Sequence, residues 1–309
     1  MSRLAAISVD LDEIDCYTAI HGQVALTGDA ARAVYRCALA RFETLFADLG
    51  VPATFFVIGR DIDDENAARL KQLHDAGHEI ANHSQNHYYD LTRRDRDTLM
   101  REVEEAAIGI ERAVGVRPVG FRAPGYTIHD ALFDVLEEAG YRYDSSVFPC
   151  PSYFAAKATA IGLYGIRAAL GSGQASASIV DDPRVLSAPA DPYRRGRPYW
   201  KRGSGLRVLP IGVTRGLRLP YIGTSVVLSG TRGADLLTRQ MLGRPLVNLE
   251  LHGIDLADAD EDGLQALRPH QPDLRRSAAF KEASLRAAVR RLRASGYEFV
   301  TLADAAEVL

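Results

Sequence analysis

Short apolar runs alternate with stretches of helical periodicity along most of this chain, and each run ends in polar residues. Leu4 to Val9, Pro52 to Gly59, Glu79 to Ala81, Pro118 to Phe121, Tyr141 to Tyr143 and Pro245 to Leu251 are the apolar runs. Residues 29–49, 63–76, 95–114, 129–139 and 278–294 read as helices, with Asp29 as an N-cap and Gly50, Gly77, Gly115, Gly140 and Gly296 as stops. A last strand is expected over Tyr297–Leu302. Such alternation folds as parallel strands joined by crossover helices, an α/β architecture. It also gathers the residues at the strands' C-terminal ends on one rim, where α/β folds place their sites.

What stands on that rim is chemically specific. The first run delivers Asp10-Leu11-Asp12, two carboxylates on one side of a strand end. They repel unless a cation or proton lies between them; the alternative is that they only cap the next helix. The third run delivers His83-Ser84-Gln85-Asn86-His87. Imidazoles four apart can share one metal ion, although two ordinary loop histidines would look the same. Arg122-Ala123-Pro124-Gly125-Tyr126, Asp144-Ser145-Ser146 and Leu251-His252 close the next three runs.

The 309 residues carry a net charge of −3, which supplies no basic field for nucleic acid. Cys16, Cys37 and Cys150 are odd in number and lack CxxC spacing, so reduced thiols are expected. No apolar run approaches the roughly 18 residues of a membrane span, and no leader-type h-region precedes Leu4. A cytoplasmic protein is expected.

Between about 147 and 244 the alternation lapses. Tyr153 to Leu170 reads either as a core helix or as a surface helix touching lipid. A Gly/Ser stretch from Gly171 follows. The run from Tyr193 to Arg202, rich in arginine and aromatics, reads as an anion or lipid grip or as a solvated loop. Leu206–Ile211 and Leu217–Tyr221 look like strand pieces. The acidic loop from Asp255 to Asp262 lacks the alternate ligand spacing of a calcium-binding EF-hand.

With these residues in order, the chain resembles the polysaccharide deacetylase family, also called NodB-homology or carbohydrate esterase family 4. The resemblance covers Ile7 to about Ser146 and about Leu246 to Leu302. The family's opening Thr-Phe-Asp-Asp has its counterpart in Ser8-Val9-Asp10-Leu11-Asp12, with the acids spaced by one. The His-(Ser/Thr) motif matches His83 to His87, and the Arg-x-Pro-aromatic motif matches Arg122 to Tyr126 with one extra residue. Asp144-Ser145-Ser146 and Leu251-His252 answer the fourth and fifth motifs. The resemblance implies a distorted (β/α)7-type barrel, one catalytic domain over 1–309 with an insertion at about 147–244.

It implies a hydrolase that removes N-acetyl, or N-formyl or O-acetyl, groups from an amino sugar or glycan. Asp12, His83 and His87 would bind a divalent metal; two nitrogens and one oxygen suit zinc, with cobalt or nickel as competitors. The metal would activate water and polarise the carbonyl. Asp10 would act as base, held ionised by bidentate Arg122. His252 would act as acid, its pKa raised by Asp144, and Tyr126 would offer its backbone N–H or side chain to the oxyanion. A non-sugar cyclic amide hydrolase and a non-catalytic binding module are the competing readings. A lipid-linked glycan and peripheral membrane contact fit the insertion; the oligomeric state is not encoded in these features.

Overall fold

The computed structural model describes residues 3–171 and 174–309. Met1, Ser2 and two residues of the expected Gly/Ser stretch, Ser172 and Gly173, lie outside them.

Leu4–Asp10 forms β1, buried along its whole length. An unexpected helix α1, Ile14–Ile20, follows, capped by Glu13 rather than by either strand-end aspartate. Helical turns over Gly28–Arg32 and Val34–Ala38 run into α2, Leu39–Leu49. Thr27 occupies the N-cap position expected for Asp29, which instead pairs with Arg36. Gly50 takes the left-handed conformation (φ 56°) that ends α2 without a Cβ clash.

The regular units follow as β2 (Thr54–Val57), α3 (Asp64–Asp75), β3 (Glu79–Asn82), α4 (Arg96–Val114), β4 (Gly120–Phe121), α5 (Asp130–Glu138) and β5 (Tyr143–Asp144). The insertion supplies α6 (Pro151–Ala169), β6 (Tyr193–Arg195), β7 (Arg202–Val208), α7 (Gly223–Leu228) and α8 (Gly230–Arg239). The pattern then resumes with β8 (Leu246–His252), α9 (Ala278–Ala294) and β9 (Glu298–Phe299). The last expected strand stops at Phe299 because Thr301 and Asp304 form a capping box that starts α10 (Leu302–Val308).

The strands form one curled sheet in the order β6-β7-β5-β4-β3-β2-β1-β8, with β9 beside the start of β1. Every pairing is parallel except β6 with β7. This is the α/β half-barrel expected of the (β/α)7 type. Parallel strands buried on both faces read as near-continuous apolar runs, which is why they were visible in the sequence. A large core cluster joins β1, β2 and β8 to α2, α8 and α9 through residues such as Val9, Phe42, Phe46, Phe55, Leu249 and Leu292.

Two readings of the insertion need correction. Helix α6 is not a core helix, because none of its residues is buried. The arginine–aromatic run is not a loop throughout: Tyr193–Arg195 is strand β6, while Arg194, Arg197, Lys201 and Arg202 remain exposed. Its centre, Arg195, is 5 % exposed and is held by Asp134 (2.6 Å) and Glu137 (2.7 Å) of α5. No described helix is long and apolar enough to cross a membrane.

Candidate active site

The ends of β1, β3, β4 and β8 meet at one rim, and the register explains why. Asp10 pairs in the sheet with Phe56 on one side and His252 on the other, while Asn82 pairs with Phe56's neighbour Val57 and with Phe121. Side chains some 240 residues apart are thereby fixed as neighbours.

Asp12 lies at the centre. Its Oδ1 is 3.3 Å from Nε2 of both His83 and His87. Asp10 Oδ2 lies 3.7 Å from His83 Nε2. Each imidazole is oriented from behind. His83 Nδ1 is 2.7 Å from the carbonyl of Arg122, and His87 Nδ1 is 3.6 Å from Cys16 Sγ. The loop between them is locked by Glu102, which accepts from the backbone (2.8 Å) and side chain (2.6 Å) of Asn86. Ser84 and His87 hold left-handed backbone (φ 65° and 55°), sparsely populated for non-glycine residues and a mark of functional turns.

These residues fit a metal ion. Asp12 Oδ1, His87 Nε2 and Asp10 Oδ2 are buried without a hydrogen-bond partner among the described residues. Buried polar atoms are rarely left so, and a cation held between Asp12 Oδ1 and His87 Nε2 satisfies both. The 3.3 Å spacings also suit donors sharing one ion at roughly 2.0–2.2 Å. Cys16 is within reach of Asp12 and His87 as well. It stands against the opposite ring nitrogen, however, and burial followed by the Asp12 carboxylate pushes its thiol well above the usual range.

Arg122 is fully buried over the Phe56 ring, 4.1 Å from its centroid. It does not grip Asp10 in the expected bidentate manner. Only Nη1 donates to Asp10 Oδ1; Nη2 donates to the hydroxyls of Ser8 (2.8 Å) and Ser145 (3.0 Å), and Nε to the Ser145 carbonyl (3.0 Å). Burial raises the pKa of Asp10 against the opposing pull of Arg122 and His83. For Asp12 burial acts the same way, but the two imidazoles prevail and hold it well below the carboxylate range.

His252 clusters with Asp10 and Glu250, a ligand atom of each within 4.8 Å of the others, and its side chain is 26 % exposed. Its partner is Glu250, not Asp144: Nδ1 lies 2.9 Å from Glu250 Oε1. Burial alone would lower the imidazole's pKa, but Glu250 reverses that and raises it well above the ordinary value. Asp144 instead accepts from the hydroxyl (2.6 Å) and backbone (2.9 Å) of Ser146, and burial pushes it up to about 7. It shapes the turn after β5. Two donors of Tyr126 were expected as alternatives. Its backbone N–H is spent on the Ala123 carbonyl (3.0 Å), leaving the hydroxyl, 3.4 Å from His252 Nε2, to face the site.

Glu250 is the residue that sequence reasoning missed. It lies two positions before His252 on the same strand, hence on the same face, which was the available signal.

A half-barrel sheet with carboxylates, imidazoles and a buried guanidinium on its C-terminal rim defines the class: an α/β protein built around a candidate metal centre. The polysaccharide deacetylase family profile matches residues 18–143. A peptidoglycan deacetylase of Helicobacter pylori is 27% identical over 149 residues, 47% of this chain and 49% of that protein. A peptidoglycan-N-acetylglucosamine deacetylase of Bacillus cereus is 39% identical over 90 residues, 29% of this chain and 41% of that protein. The chain thus spans half or less of the length of these curated relatives. A Mycobacterium smegmatis structure assigned as a polysaccharide deacetylase superposes with a TM-score of 0.62 at 19% identity, covering 99% of this chain and 90% of that one. The match to the polysaccharide deacetylase family thus covers residues 18–143 of this chain.

Proposed function

We propose that this protein is a metal-dependent deacetylase that hydrolyses an N-acetyl, N-formyl or O-acetyl group on an amino sugar or glycan. One observation carries the reading: Asp12 Oδ1 lies 3.3 Å from Nε2 of both His83 and His87 with no hydrogen-bond partner of its own among the described residues, and Asp10 and His252 stand beside that group. The curated relatives, both peptidoglycan deacetylases by name, support the glycan class.

Asp12, His83 and His87 would hold a divalent ion, zinc by donor chemistry, with cobalt or nickel as competitors. When bound, that ion supplies Lewis acidity for the carbonyl and activation of the attacking water. Asp10, beside the ligands and tied to Arg122, is placed to take the water's proton. His252, kept protonated by Glu250, is placed to give a proton to the departing nitrogen or oxygen. The Tyr126 hydroxyl is placed to donate to the charge that develops on the carbonyl oxygen.

A second reading has its own support. The cavity over the site measures about 290 Å³ and is walled by Tyr17, Tyr89, Tyr126 and Tyr153. That size and lining also suit a compact non-sugar amide, such as a cyclic one. Metal analysis of the purified protein, coupled to an acetate- and formate-release screen over acetylated sugars and cyclic amides, separates the two. Absence of any release with metal removed and restored rejects both.

We place the protein in the cytoplasm, supported by the unpaired Cys16, Cys37 and Cys150. Exposed Leu163 and Ile166 on α6, with Leu170 at its C-cap, support peripheral membrane contact. Flotation with anionic liposomes tests it; protein left wholly at the bottom of the gradient rejects it.

A further inference from the structure

The chemistry on the cavity floor leaves open what the rest of the cavity recognises. Its roof is α6, which contributes Tyr153, Ala156, Lys157, Ala160, Ile161 and Tyr164 along three turns. The roof is tied down at few points. Tyr164 Oη lies 3.0 Å from Nδ1 of His21 beyond α1, Lys157 Nζ donates to the Gly125 carbonyl at 2.7 Å, and Tyr153 packs on Phe148 and Tyr126. A cavity of about 290 Å³ under such a roof is at the small end of ligand pockets, a size that seats one ring.

Lys157 is the sole lysine or arginine among the residues lining this cavity. Its hydrogen bond to the Gly125 carbonyl uses one of the ammonium's three donors. Asp181 is its nearby anion, but no ion pair within 4.0 Å joins the two, and Asp181 Oδ2 is itself unpartnered. Partial burial beneath the helix drags Lys157 down to about 8, the behaviour of a cation lacking a close counter-charge. The cavity's own carboxylates, Asp10 and Asp12, face His83, His87 and Arg122 on the floor and neither pairs with Lys157, so an oxyanion on a bound molecule is the counter-charge this ammonium lacks.

We propose that Lys157 is a specificity-determining residue, and that the substrate is a single-ring amide-bearing unit carrying a carboxylate or phosphate group that this ammonium binds. The proposal rests on the deacetylase reading, and a binding measurement separates the two because it needs no turnover. N-acetylglucosamine 6-phosphate, N-acetylmuramic acid and neutral N-acetylglucosamine are titrated calorimetrically into the metal-free protein. At least one anionic sugar should bind about tenfold or more tighter than the neutral one. Which of the two does so separates phosphate from carboxylate as the recognised group. Lys157→Met should bring the favoured anion to the affinity of the neutral sugar, whereas Lys157→Arg should keep the preference.

In turnover, the Lys157→Met loss should fall in KM for the anionic substrate rather than in kcat. Equal binding of anionic and neutral sugars, or no binding of either anion, overturns the proposal. So does a Lys157→Met loss of the same size for all three sugars, which would mark Lys157 as a tether of the roof alone. Faster release from a long neutral N-acetylglucosamine chain than from the anionic monomers also overturns it. Preferential anion binding without acetate release from any substrate would instead sink the deacetylase reading and leave the recognition intact.

Discussion

The floor and the roof of the cavity are built in opposite ways. Floor residues sit on strand ends whose neighbours are set by backbone pairing, and nearly all are buried: Asp10, Asp12, His83, His87 and Arg122 are each less than 5 % exposed. The roof is a helix without a single buried residue, fastened by a few side-chain contacts. Chemistry that depends on sub-ångström placement is thus given to the sheet, and recognition to an element that can change without disturbing the sheet. The contrast has measurable consequences on both sides.

The largest effect should come from the floor's centre. Asp12→Ala removes the donor shared by both imidazoles, so metal content should fall to background and turnover drop about a thousandfold or more. Elemental analysis beside a release assay reads both; a variant that keeps its metal breaks the ligand assignment. Asp10→Asn should lose about 100- to 10,000-fold in kcat while metal remains, as expected for a lost base. Full activity in that variant would remove Asp10 from the reaction.

Arg122→Ala should cost about 3–5 kcal/mol in chemical denaturation, because it strands the Asp10 carboxylate in a buried site. A loss below 1 kcal/mol, roughly the worth of an exposed pair, would show the floor to be less rigid than argued.

Glu250→Gln is a subtler probe. Glu250 raises the pKa of His252, and an acid works only while protonated, so activity should fail as pH rises through that value. Without the carboxylate the alkaline limb of the kcat profile should move to lower pH. The raised value also means the pair's contribution to stability is fully present below about pH 6.5 and fades as pH rises through the folded-state pKa. An alkaline limb that stays in place would assign it to another group.

The smallest effect belongs to the roof. Tyr164→Phe removes one hydrogen bond to His21 and should change global stability by about 1 kcal/mol or less. It should nevertheless speed hydrogen exchange across α6 and leave β1 and β8 protected. Uniform acceleration over the whole chain would show roof and floor to be one unit.

The same contrast explains what the sequence disclosed. Continuous apolar runs ending in acids or histidines identify buried parallel strands, and such strands must bring their ends together, so the rim was legible. Glu250 was hidden because β8 is buried on both faces, and burial erased the alternation that would have marked its side. Asp144 took its place in the reading because a carboxylate near a strand end resembles any other until the hydrogen bonds to Ser146 are seen. Helix α6 was ambiguous because apolar residues with few charges suit a core and a cavity roof alike. The direction of the Tyr126 amide depended on Gly125 (φ 59°) tightening the turn, a conformation that a residue list does not specify.

Arg122 ties Ser8 and Asp10 of β1 to Ser145 just past β5, with Phe56 of β2 beneath it. The bond from Arg122 to the proposed base, Asp10, is therefore also a rivet of the scaffold. Damage there should leave few intact but inert molecules to occupy substrate without turning it over. A cell carrying such an allele would lose the polypeptide to its proteases, and the defect would read as missing protein on a blot.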